Sequence, residues 1–223
     1  IVDLREEQNT FVRIMETQDG KRTFIRDFQD MDATPSEAEI TAAIKKMIST
    51  PPTVAFIKGD GEREISKPGD RDYSNFSIEK YSRAALINQG FEVCEIDISH
   101  GDTIPSLINI VVLAEMRTPL TEKGESQLET YLARGGNLFI LTDTGRQEIM
   151  DPFLGRFGIK MEEYQLAQSS ADFSPNLILA KATRESGKLT FGFKDDFPKH
   201  DLRVSMPGCV ALTSFDNDYG FQY

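Results

Sequence analysis

The sequence predicts an α/β protein built on a doubly wound, mostly parallel sheet of flavodoxin-like or class I glutamine-amidotransferase-like type. Three observations predict it. A continuous apolar run at residues 54–57 breaks at Gly59-Asp60-Gly61, as a central strand does where it opens into a functional loop. From there to Gly158, strand-like and helix-like segments alternate through short connections, the pattern of right-handed crossovers. Before residue 51, an Asp-Gly turn between two strand-like runs signals an antiparallel hairpin.

Each element has its own warrant. Residues 11–17 and 22–28 are the hairpin strands, joined by Gln18-Asp19-Gly20-Lys21. Ser36-Glu37-Ala38-Glu39 is a capping-box pattern. The helix it opens carries Ile40, Ala43, Ile44, Met47 and Ile48 as one apolar stripe, and Pro51-Pro52 ends it. Residues 1–50 are therefore expected to pack, as a hairpin and helix, on an α/β core at 51–160. In that core, a strand at 54–57 is followed by a polar loop at 59–75 and a helix at 77–89 that Gly90 closes. Strands are expected at 91–98, 108–114 and 137–141. Thr121 caps a helix with Glu122 and Glu125 in its first turn and Leu128, Tyr131 and Leu132 on its buried side. A last helix at 147–157 stops at Gly158. Residues 161–223 read as a β-rich extension of the same domain, with strands at 177–182, 188–193 and 209–214.

Composition narrows the function. The 223 residues are 39% hydrophobic and 27% charged, an ordinary globular balance able to bury a core without staples. The net charge of -11 argues against a nucleic-acid partner, which needs clustered Lys and Arg. Cys94 and Cys209 form no Cys-x-x-Cys pair, and neither His100 nor His200 sits at ligand spacing, so no metal or cofactor is expected. Cys94 reads as a small hydrophobe within a strand, and a Cys94–Cys209 disulfide stays open. These residues contain no apolar run of membrane-spanning length and none that reads as a signal peptide, which says nothing of a longer parent protein. The chain begins at Ile1 and is expected to be a piece of a longer protein.

Ligands of open α/β sheets bind outside the carboxyl ends of the strands. The loop there offers Asp60, Gly61, Glu62 and Arg63, and the loop after residue 141 offers Asp143 and Thr144; these six are the candidate ligand or interaction residues. Gly-Lys-Ser/Thr is missing, and Glu64 occupies the third glycine position of a dinucleotide fingerprint, so neither phosphate motif is complete. The competing reading is a tight turn with a salt-bridged rim. Asp143 reads equally as a helix N-cap or an Asx turn. Glu62, Glu64, Asp70 and Asp72 offer acids for an acid–base pair, but acids and bases alternate there as in a solvated loop. No Gly-x-Ser-x-Gly elbow exists, and no catalytic residue is assigned.

Several spaced segments carry a resemblance. Residues 36–44 and 54–63, Gly90-Phe91-Glu92-Val93, Ile104-Pro105, residues 110–114, Pro119-Leu120-Thr121-Glu122 and residues 131–138 together resemble the auxiliary family of ABC-type transport systems. That family includes gliding-motility-associated auxiliary proteins. The resemblance spans most of residues 37–158 and weakens beyond. It implies an amidotransferase-like α/β fold and an extracytoplasmic (periplasmic) domain anchored by membrane helices outside this segment. It also implies partnership with ABC transporter permease and ATPase subunits, and no established enzyme activity. The family commonly carries Gly-His-Gly-Glu where this chain has Gly59-Asp60-Gly61-Glu62, so a role needing imidazole there is in doubt. The expected function is a non-enzymatic accessory domain of a bacterial ABC-2-type exporter that contacts protein or cargo. One alternative is a carbohydrate-binding module using Asp60, Glu62, Arg63 and Asp143 with Tyr73 and Phe76 in place of the absent Trp. The other is an amidotransferase-like hydrolase, which requires a nucleophile at a strand end.

Overall fold

A computed structural model describes residues 3–7, 12–28, 30, 34–67, 72–188 and 201–216. The chain is mixed α/β and divides into two compact units, Ile1–Leu141 and Thr142–Tyr223.

The first unit begins with the hairpin, β1 (Val12–Glu16) and β2 (Arg22–Arg26), antiparallel with Ile14 opposite Phe24. Arg13–Asp27 and Arg22–Glu16 ion pairs run along it. Helix α1 (Glu37–Ile48) follows, its Glu39 carboxylate accepting the Ser36 N–H at 2.9 Å as the capping-box pattern requires. It packs against β2, but not through the isoleucine stripe. Ala42, Ala43 and Met47 are buried, whereas Ile40, Ile44 and Ile48 are 38%, 41% and 73% exposed. The small side of the helix permits the close approach, and Arg83 draws Glu39 inward on that side.

The core of this unit is a four-stranded, all-parallel sheet of β3 (Thr53–Lys58), β4 (Glu92–Asp97), β5 (Ile108–Ala114) and β6 (Asn137–Leu141), in the order β4-β3-β5-β6. Central β3 and β5 read as unbroken apolar runs because both their faces are buried. Val54, Phe56, Val112 and Ala114 form one face with Ile65, Tyr73, Ile78, Leu86 and Phe91. Ala55, Ile57, Val111 and Leu113 alternate to the opposite face and are buried as well. Helix α3 (Glu122–Ala133) buries Gly124, Leu128 and Tyr131, and Thr121 Oγ1 accepts the Gly124 N–H at 3.1 Å as its cap. Tyr131 Oη donates to the Asn137 carbonyl and accepts the Asn137 N–H, both at 3.0 Å, which fixes the start of β6.

The helix expected at 77–89 does not form. A four-residue α2 (Ser74–Ser77) and a 3₁₀ turn at Leu86–Asn88 stand in its place. The buried Asn88 amide explains the difference. It donates to the carbonyls of Glu79, Lys80 and Ser82 at 3.3, 3.3 and 2.8 Å, satisfying with a side chain the groups a helical ladder would have used. The Arg26 guanidinium in turn donates to Asn88 Oδ1 at 2.7 Å and to both carboxylate oxygens of Glu7.

In the second unit, α4 (Gln147–Leu154) passes into a 3₁₀ turn, Gly155–Phe157, that Gly158 closes. Phe153 and Phe157 meet edge-on at 5.3 Å. Two strands unannounced in the sequence appear, β7 (Ile159–Gln165) and β9 (Arg203–Pro207). β8 (Leu177–Lys181) pairs antiparallel with β9, and β10 (Val210–Ser214) pairs antiparallel with β7. The strands of this unit thus form two small antiparallel ribbons. Of the strand expected at 188–193, Lys188 ends a 3₁₀ turn and the remainder lies outside the described residues. Cys94, within β4, and Cys209 are both free thiols.

Candidate functional site

Strand order reverses between β3 and β5, so the crevice outside their carboxyl ends is the topological switch point of this sheet. The loop after β3 turns there through two glycines with positive φ, +122° at Gly59 and +78° at Gly61. A Cβ on Gly59 would lie 2.5 Å from Asp97 Oδ1 and from Ser99 Oγ, and one on Gly61 would lie 2.9 Å from Arg117 Cβ. Glycine at both positions lets the loop lie directly against the ends of β4 and β5.

The loop is stitched to its neighbour by backbone bonds. The Asp60 carbonyl accepts from Arg117 N, Thr118 N and Thr118 Oγ1 at 3.1, 3.2 and 3.1 Å, and the Arg63 N–H donates to the Ala114 carbonyl at 2.9 Å. Arg63 also forms an ion pair with Glu115. Glu115 is the one non-glycine residue with positive φ among the described residues, at +51°. Its N–H donates to the Leu141 carbonyl at 2.7 Å. A glutamate held in the left-handed region marks a backbone that its surroundings over-determine.

Asp60 and Glu62, the two acids singled out in the sequence, are 5% and 7% exposed. Glu62 Oε2 accepts the Asp60 N–H at 2.7 Å, and the Asp60 carboxyl accepts the backbone N–H of Thr121. Asp60 Oδ2 and Glu62 Oε1 are buried and accept no hydrogen bond among the described residues. Burial pushes the Asp60 carboxyl above the usual range, and the charge of Asp97 adds to it. Burial likewise raises Glu62, with Asp60 and Asp97 contributing and backbone N–H bonds opposing.

Asp97 itself is held low by the Ser99 hydroxyl, which donates to its Oδ1 at 2.6 Å. Ser99 Oγ also lies 3.1 Å from His100 Nδ1. Serine, histidine and aspartate thus meet, but with serine in the middle and its proton given to the carboxylate. That is the wrong polarity for a nucleophile activated by a base. Cys94 sits mid-strand opposite Ala55, and burial raises its thiol further, away from a nucleophilic thiolate.

The structure thus brings Asp60, Gly61, Glu62 and Arg63 to the switch point and adds Asp97, Ser99 and Glu115, which are not among the six candidates although Ser99 and Glu115 lie in loops at the carboxyl ends of predicted strands. Their signal was position alone, since each stands at or just past the carboxyl end of a predicted strand. Asp143 and Thr144 open the second unit. The Asp143 carboxylate accepts the Thr144 N–H at 2.8 Å, and α4 starts after Arg146, so Asp143 makes a local turn contact and is not the helix cap. Glu64 pairs with Lys67 at 2.8 Å on the rim, and Asp70 and His200 lie outside the described residues. Among the described residues, no three His, Cys, Asp or Glu side chains gather as a metal would need, and no helix is long and apolar enough to cross a membrane.

No curated protein matches the chain. Among solved structures, it is similar to the mmIFT52 N-terminal domain, at 14% identity and a TM-score of 0.49, over 73% of this chain and 68% of that one. The model of the auxiliary family described as an ABC-type uncharacterized transport system matches residues 51–178, which takes in the parallel sheet, the switch-point loops and the start of the second unit. The chain belongs to this ABC-type transport system auxiliary family.

Proposed function

We propose that this chain is a non-enzymatic, extracytoplasmic domain of a membrane-anchored component of a bacterial ABC-2-type exporter, and that it contacts protein or cargo through the loops at the carboxyl edge of its sheet. The observation that carries this reading is the family membership together with the buried, over-determined loop at the switch point. The proposed partners are the permease and ATPase subunits of the same transporter. The strand order β4-β3-β5-β6 further supports a sheet of flavodoxin-like or amidotransferase-like type.

The test is to purify the complete protein from its native membrane and identify what comes with it. Permease and ATPase subunits are expected in stoichiometric amounts. A membrane-impermeant thiol label applied to intact cells is expected to reach a cysteine introduced at exposed Glu163. Isolation without any transporter subunit, or labelling only after lysis, overturns the reading.

A further inference from the structure

The described residues include five buried acids, and they fall into two groups. Glu7 is held by Arg26 and Lys80, Glu39 by Arg83, and Glu115 by Arg63. Asp60 and Glu62 are equally buried, yet their polar contacts are backbone N–H groups, and each keeps a buried oxygen that accepts nothing among the described residues. Among the described residues, a guanidinium thus lies on every other buried carboxylate and none lies on the pair at the switch point.

We propose that Asp60 and Glu62 form the receptor for a cationic nitrogen, an ammonium or a guanidinium, that enters at the carboxyl edge of the sheet. The choice of charge follows from the surroundings. The charge of Asp97 raises the proton affinity of Asp60, and those of Asp60 and Asp97 raise that of Glu62, so a neutral hydroxyl would satisfy a lone pair and leave the repulsion. A cation answers both needs. Of the nearby bases, Arg63 lies on Glu115, Lys58 on Glu95 at 3.2 Å and Lys67 on Glu64, while the exposed Arg117, whose side-chain stem lies against Gly61, makes no ion pair with Asp60 or Glu62. A metal ion is disfavoured because Asp97 is engaged by the Ser99 hydroxyl and no three such side chains gather as a metal would need among the described residues. Exposed residues, Gly59, Gly61, Arg117 and Thr118, adjoin the pair at this edge of the sheet. The nitrogen has two sources, a lysine or arginine side chain of a basic partner segment drawn to a chain of net charge -11, or the amino group of a small molecule. The inference rests on the proposed function only in treating this loop as the contact point.

The test is carboxyl and amide NMR on the whole chain at neutral pH and low salt. The probes are n-butylammonium, glucosamine, and the peptides acetyl-Gly-Lys-Gly-amide and acetyl-Gly-Arg-Gly-amide; glucose, the Nε-acetyl-lysine peptide and magnesium chloride are the controls. The charged probes are expected to shift the amides of residues 59–63 and 116–118 and to lower the titration midpoints of Asp60 and Glu62. Asp60→Asn and Glu62→Gln are each expected to weaken the response at least about tenfold, the loss of one charged hydrogen bond. Glu64→Gln leaves it unchanged. A stronger response to either charged peptide assigns the nitrogen to a polypeptide, and a stronger response to glucosamine assigns it to a small amine. The proposal is overturned by no response to any charged probe, by equal response to glucose or to the acetylated peptide, by response to magnesium alone, or by responses that survive both substitutions. The wild-type titration decides the matter even if a variant fails to fold. Transporter subunits that co-purify undiminished with a chain giving no ammonium response sink this inference alone; an ammonium response without co-purification sinks the transporter reading alone.

Discussion

At Gly59 the chain adopts a φ of +122°, and a Cβ there would lie 2.5 Å from Asp97 Oδ1 and from Ser99 Oγ. Gly59→Ala therefore adds backbone strain to a steric clash with two engaged side chains, and is expected to lower unfolding stability by about 2–4 kcal/mol in urea denaturation. A loss under ~0.5 kcal/mol contradicts this account of the turn. Three residues on, the pH dependence of Glu62 has a definite sign. Its folded carboxyl holds a proton more tightly than the unfolded one, so the native state binds more protons once pH rises past the ordinary carboxylate range near pH ~4. Stability from Glu62 and Asp60 is thus present in acid and lost as pH rises through their raised values. Asp97 and Glu7, whose carboxyls are held low, contribute the opposite slope below that range. Glu62→Gln keeps an oxygen for the Asp60 N–H and removes the charge. Its Tm is expected to exceed wild type at pH 7 and to converge with it toward pH 4. A variant less stable than wild type at pH 7 sinks this reading. The sequence made Gly59, Asp60, Gly61 and Glu62 visible because two glycines after an apolar run are a local signal. It did not reveal Glu115 or Asp97, because their role depends on which strand ends lie side by side.

Elements were legible where local preference and tertiary demand agree. The hairpin, the four core strands and α3 follow from turn chemistry, apolar runs and capping, each readable within a dozen residues. They fail where a distant side chain intervenes. Asn88 takes the carbonyls of the expected helix at 77–89, and Glu39 turns α1 so that its isoleucines face outward. The same network ties the hairpin to the chain before β4 through Arg26, which lies on Glu7 and Asn88 at once. Arg26→Ala leaves the buried Glu7 carboxylate without its guanidinium and Asn88 Oδ1 without its donor, and is expected to cost about 3–5 kcal/mol. Replacing both partners by apolar residues of similar size, Arg26→Met with Glu7→Leu, is expected to recover only part of that loss, since Lys80 loses its carboxylate and Asn88 Oδ1 its donor. Chemical denaturation of the single and double variants checks it, and a single variant within ~1 kcal/mol of wild type removes the network from the account of stability.

At the scale of the whole molecule, the two units differ in how their strands are held. β3 and β5 are hydrogen-bonded on both edges and packed on both faces, with Ala55, Val111 and Leu113 fully buried. Among the described residues β9 pairs on one side only, in a two-stranded ribbon, and all five of its residues are exposed. A two-stranded ribbon is marginal without a buried face, so its amides open at little free-energy cost, while those of the central sheet open only with the core of their unit. Such units exchange across the full range from near zero to the global stability. Native-state hydrogen exchange is therefore expected to protect residues of β3 and β5 over those of β9 by about three orders of magnitude or more, equivalent to ~4 kcal/mol. The switch-point loop is expected to exchange slowly for a loop. The N–H of Asp60 is bonded to Glu62, that of Arg63 to the Ala114 carbonyl, and those of Arg117 and Thr118 to the Asp60 carbonyl. If residues 60–63 exchanged as fast as β9, the loop would be an ordinary solvated turn, and a preformed site for a partner at this edge of the sheet would lose its physical basis. Protection there matching that of β5 ties the loop to the rigid centre of the first unit, and contacts made at the loop are then held by the best-packed part of that unit.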